Sequence, residues 1–70
     1  MNKVYAKNEL TRIINEYIEN GDEKNYMLQI IEERGVSAAK GIIYYIDEHK
    51  KKELEKKDCI ILKNIFAFYV

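Results

Sequence analysis

The 70-residue chain has no proline, no tryptophan, one cysteine, one histidine and three glycines, and its 12 basic side chains are matched by 12 acidic ones. Each shortage closes off a class of protein. A lone Cys59 builds neither a disulfide framework nor a structural zinc site, which takes about four ligands, and His49 is the only histidine to help it. Metal and cofactor chemistry is therefore not expected. Gly21, Gly35 and Gly41 are isolated stops and form no phosphate-cradling loop. The segment from Met1 to Lys7 lacks the apolar run of a signal peptide, and no apolar stretch approaches the roughly 20 residues that span a bilayer. The chain reads as cytoplasmic and without a membrane partner. Its length leaves room for a single small domain, residues 1–70, with about 3–5 kcal/mol of net core stability, so support from a partner subunit is expected.

The sequence is 47% apolar, enough for a folded domain despite 34% charged residues. Ile (11), Lys (10), Asn (6) and Tyr (6) make up 33 of the 70 positions, a bias that AT-rich coding also produces, so abundant isoleucine is weak evidence for strand. From Asn8 to Asn20, Leu10, Ile13, Ile14, Tyr17 and Ile18 follow the i, i+3, i+4, i+7, i+8 series of one helix face. Asn8 is the expected cap, Gly21 the expected stop, and Tyr17 a core residue. A second helix is expected to start near Asp22 as its cap and to run through Met27, Ile30 and Ile31 to Arg34, with Gly35 ending it. Ser37 then caps a third, in which Ala39, Ile42, Ile43 and Ile46 face inward, Tyr45 lies near the stripe and Tyr44 points away. Gly41 inside that helix costs about 1 kcal/mol relative to Ala, which suggests a close neighbour.

Residues 47–58 are charged and either prolong the third helix or form a separate turn. Cys59-Ile60-Ile61-Leu62 and Ile65-Phe66-Ala67-Phe68-Tyr69-Val70, parted by Lys63-Asn64, are rich in β-branched and aromatic residues and read as a hairpin, or as one long strand pairing with a second copy. The expected fold class is α+β, three short helices followed by a C-terminal β-hairpin.

The order of these elements, the Gly35-Val36-Ser37 corner and the segment Leu54-Glu55-Lys56-Lys57-Asp58-Cys59-Ile60-Ile61 resemble a winged helix-turn-helix domain over roughly residues 8 to 70. The chain departs from that family's pattern at Ile31 and Gly41 and has no first strand. The resemblance implies a small DNA-binding regulatory protein, acting as a homodimer on double-stranded DNA. Ser37, Ala38 and Lys40 would face base edges, Lys50, Lys51 and Lys52 would neutralise phosphates, and Lys63 at the wing tip would meet the backbone. Charge has the matching sign, since residues 1–35 carry net −2 and residues 36–70 net +2. A solvated lysine face is the plain alternative.

A second expectation comes from surplus apolar surface. Both sides of a strand through residues 65–70 would be apolar, more than one small core can cover, which favours pairing with another chain. On this reading the protein is a small binding module or inhibitor, of viral or mobile-element type, that captures a protein partner through Tyr44, Phe66, Phe68 and Tyr69. Enzyme activity is not expected: His49 has no nucleophile at a meaningful spacing, and Cys59 opens an apolar segment.

Overall fold

The computed structural model describes residues 1–70 and contains helices only: α1 (Lys3–Tyr17), α2 (Asp22–Arg34), a 3₁₀ turn (Gly35–Ala38), α3 (Ala39–His49) and α4 (Lys56–Tyr69). Helix α1 touches every other element. It supplies Ala6, Leu10, Ile13, Ile14 and Tyr17 to a core completed by Ile18, Ile31, Ala39, Ile42, Ile46, Leu62 and Ile65. The accessible surface is 4615 Å², against about 4,600 Å² for a compact monomer of this mass. Packing within one copy is thus as complete as in an ordinary monomer.

The caps set the boundaries. Asn2, not Asn8, starts α1: its Oδ1 accepts the Tyr5 N–H at 2.7 Å, satisfying one of the free amides of the first turn. The helix stops at Ile18, three residues before Gly21. Lys24, buried on α2, donates from Nζ to the Asn15 carbonyl at 3.2 Å and to Asn20 Oδ1 at 2.9 Å, taking up a carbonyl near the end of α1. The second helix ends as expected but takes in Asp22 as its first residue, with Gly21 at the cap position, and Gly35 closes it at φ +58°, a left-handed conformation that side chains beyond glycine resist. The corner at Gly35 to Ser37 is present as the 3₁₀ turn, but Ser37 does not cap α3, since its hydroxyl donates backward to the Arg34 carbonyl at 2.7 Å.

Within α3 the expected inward residues Ala39, Ile42 and Ile46 are buried, Ile43 and Tyr45 are half-buried, and Tyr44 is 52% exposed. Gly41 is different from expectation: a Cβ built there meets no atom within 4 Å, so no close neighbour explains it. Gly41→Ala should therefore stabilise the protein by about 1 kcal/mol, raising the thermal midpoint by about 4–8 °C. A lowered midpoint in a thermal melt would contradict this account of the site.

The C-terminal hairpin is the main correction. Residues 56–69 form one helix, the fold is all-α and not α+β, and Lys63-Asn64 is no turn. Without a β-wing the winged helix-turn-helix resemblance fails, as does the wing contact assigned to Lys63. The physical reason lies in the spacing of Asp58, Leu62, Ile65 and Tyr69, which share one face at helical period and point inward, leaving Ile60, Lys63, Asn64 and Ala67 outward. A strand would have needed partners on both apolar faces; a helix satisfies its own backbone and buries one stripe. The charged stretch is resolved as well: α3 ends at His49, and residues 50–55 form a connection to α4. No helix is long and apolar enough to cross a membrane.

Candidate functional site

Two features stand out where α1, α3 and α4 meet. The first is a buried polar clamp. Asp58, in the first turn of α4, is 0% exposed. Its Oδ1 accepts from Arg12 Nη2 at 2.6 Å and its Oδ2 accepts the Tyr17 hydroxyl at 2.6 Å. The Tyr17 oxygen in turn accepts the Glu55 N–H at 3.0 Å, and the Tyr17 carbonyl accepts the Lys51 N–H at 2.8 Å. One tyrosine thus fastens the α3–α4 connection near both ends. Arg12 also pairs with Glu9 at 2.6 Å and Glu16 at 3.4 Å, and Lys52 Nζ stands 5.2 Å from the Tyr17 ring centroid. Carboxylate oxygens of Glu16, Glu55 and Asp58 lie within 4.8 Å of one another, but both Asp58 oxygens are taken and Glu16 faces Arg12 and Lys52. The cluster is arranged as an ion-pair network.

Hydrogen bonding from Arg12 holds the Asp58 carboxyl below its usual range, with burial opposing and the Tyr17 hydroxyl assisting. Burial, followed by the bond to Asp58, pushes the Tyr17 hydroxyl up to about 12. Stability tied to Asp58 is present above the unfolded-chain value near 4 and disappears as pH falls through the lower folded value. Stability tied to Tyr17 is present below about 10 and disappears as pH rises through about 12. Urea midpoints should accordingly be flat from about pH 5 to 9 and fall on both sides. In Asp58→Asn the acid limb should flatten, and an unchanged acid limb would remove Asp58 as its cause.

The second feature is an apolar groove of 310 Å³ between α3 and α4. Ile43 and Tyr44 form one wall, Cys59, Leu62, Phe66 and Ala67 the other, and Leu54 closes one end. Two charges line it, Asp47 on α3 and Lys63 on α4. Tyr44 and Phe66 have ring centroids 6.0 Å apart. Helical spacing extends the same stripes to Lys40, one turn before Tyr44, and to Lys56, one turn before Cys59. Both are exposed.

The sequence-derived interface residues are divided by this geometry. Tyr44 and Phe66 meet in the groove. Phe68 and Tyr69 lie outside the groove lining, at the C-terminal end of α4, with ring centroids 5.1 Å apart and planes tilted by 53°, and the Tyr69 hydroxyl donates to the Met1 carbonyl at 3.2 Å. The residues first assigned to DNA are scattered. Ser37, Ala38 and Lys40 lie around the 3₁₀ turn and the start of α3. Lys50 donates to the Asp47 carbonyl at 2.8 Å, Lys52 approaches Glu16 at 3.8 Å, Lys51 is bound through its backbone, and Lys63 lines the groove.

Sequence reasoning missed Arg12, Asp58 and the Tyr17 hydroxyl. Asp58 had a faint signal, an acid in the first turn of an apolar segment, but only if that segment is taken as a helix. A further hollow of 360 Å³ where α1 leads into α2 is lined by Glu19, Asp22, Glu23, Tyr45 and His49. Burial and a 3.2 Å bond to Glu23 Oε1 raise the Tyr45 hydroxyl above its ordinary value. The chain matches no protein-family model, and neither a curated protein nor a solved structure matches it.

Proposed function

We propose that the protein is a small helical protein-binding module whose working surface is the α3–α4 groove and the outward stripe of α4. The carrying observation is the concentration of apolar side chains on that face: Tyr44 at 52% and Ile60 at 48% exposed beside Phe66 and Ala67. A solvated groove lined by isoleucine, tyrosine and phenylalanine is the form in which helical partners are commonly received. The clamp helps to fix one wall of the groove, because the bond between Tyr17 and Asp58 holds the start of α4 against α1. A pre-shaped groove loses less ordering entropy on binding.

The test is site-specific photocrosslinking in the producing cell. A benzophenone side chain at Tyr44 or Phe66 should give a discrete protein adduct that survives nuclease treatment. The same group at Asn15 or Gln29, exposed on α1 and α2, should give none. No adduct from the groove, or equal adducts from all four positions, would overturn the reading.

A further inference from the structure

We infer that the partner received by this groove is an amphipathic helix of another protein, with carboxylates on both flanks of its apolar stripe, one meeting Lys63 on α4 and the other Lys40 on α3. The inference rests on the protein-binding reading above and gives that partner its shape and charge.

Shape follows from the backbone. The chain is built of helices alone, so it has no strand edge with free amides and carbonyls to which an extended segment could add. A helix arrives with its own hydrogen bonds made and needs only a furrow for its side chains. The furrow is present between α3 and α4, where Ile43 and Tyr44 stand opposite Leu62, Phe66 and Ala67. Each wall repeats at one, three or four residues, the spacing of the ridges against which a further helix packs. The two helices are 11 and 14 residues long, roughly 16 and 21 Å, which accommodates a partner of about three turns.

Charge decides the rest. Of the two charged residues in the lining, Asp47 is already taken: Lys50 Nζ pairs with its Oδ1 at 3.4 Å and donates to its carbonyl at 2.8 Å. Lys63 belongs to none of the ion pairs of the fold. Its neighbours at helical spacing are Cys59, Ile60, Phe66 and Ala67, and none is charged. Lys40 stands in the same position on the other wall. It is exposed, forms no ion pair, and has Val36, Ser37, Ile43 and Tyr44 at helical spacing. The unopposed charge of the groove is therefore positive and lies on both walls.

The two lysines bracket the apolar floor. Tyr44 and Phe66, whose ring centroids are 6.0 Å apart, each stand one helical turn after one of them. An apolar strip with a cation on either side is complementary to a helix whose apolar a and d residues are flanked by acids at e and g.

Fluorescence anisotropy of two labelled peptides, titrated with the purified full chain, tests this directly. Both peptides have leucine at heptad a and d positions; one has glutamate and the other lysine at e and g. The glutamate peptide should bind at least tenfold more tightly, and its affinity should fall as salt rises. Lys40→Glu combined with Lys63→Glu changes two exposed side chains that make no hydrogen bond in the fold, so the far-ultraviolet circular dichroism should stay the same while the preference reverses. Equal binding of the two peptides, tighter binding of the lysine peptide, or a preference that survives the double exchange overturns the inference. So does retention of dodecanoate in native mass spectrometry with neither peptide bound, which makes the occupant a small amphiphile. If neither peptide binds and Tyr44 still gives a foreign photoadduct, the acidic helix is refuted and the protein-binding reading stands. Loss of the adduct as well removes both.

Discussion

Arg12→Met should lose about 3–5 kcal/mol of folding stability, read as a lowered urea midpoint, although the Arg12 side chain is 38% exposed. The loss is disproportionate because the substitution acts on its partner. Asp58 has no access to solvent, and without the guanidinium its charge keeps only the Tyr17 hydroxyl and the residual field of nearby lysines. An uncompensated buried carboxylate costs several kcal/mol, whereas the total stability of a domain this size is about 4–10 kcal/mol. The variant should stand near the edge of unfolding at neutral pH and regain part of the loss in mild acid, where Asp58 is neutralised. Combining Arg12→Met with Asp58→Leu should recover most of the deficit, since an apolar pair leaves no charge stranded. A loss below about 1 kcal/mol for the single variant would place Arg12 among ordinary surface ion pairs and dissolve the clamp as a stabilising unit.

The second large effect is expected at Asn64, whose side chain is exposed. Asn64→Pro removes a donor from the middle of α4 and sets the proline ring against the carbonyl of Ile60, costing about 3 kcal/mol or more together with a visible loss of helical circular dichroism. Because the side chain packs on nothing in the core, the effect is one of backbone alone. A pair of milder changes gives the sign. In a helix Asn64→Ala gains about 0.5 kcal/mol and Asn64→Gly loses a few tenths; in a two-residue hairpin turn requiring positive φ the order reverses. Glycine proving better than alanine at this position would restore the hairpin and remove α4.

That contrast also marks how far the sequence could be read. Helices α1 to α3 were legible because Leu10, Ile13, Ile14 and Tyr17, and later Ala39, Ile42 and Ile46, recur at helical spacing between identifiable start and stop residues. In α4 nearly every position from Cys59 onward is apolar or aromatic, so periodicity alone could not distinguish helix from strand. The β-branched and aromatic content then tipped the reading toward strand. The decisive residue was Asp58, which belongs to the inward face as a polar member and therefore looked like part of the charged run before it. Its partners Arg12 and Tyr17 lie 46 and 41 positions away, a pairing that no local pattern announces. The groove was half legible: Tyr44 was identified as outward-facing and Phe66 as an interface residue, but their proximity depends on α3 and α4 running side by side, which a hairpin would not have provided.

The double hold of Tyr17 on the α3–α4 connection has a consequence for assembly of the chain. Within the connection, the Lys51 and Glu55 amides both donate to Tyr17 of α1. A fragment from Val36 to Val70 would lack the residue that closes its central link. The C-terminal half is therefore not an autonomous folding unit. It gains its final shape only against the first helix, so the part of the α1 stripe that faces α4 stays open until residues 56–69 are in place.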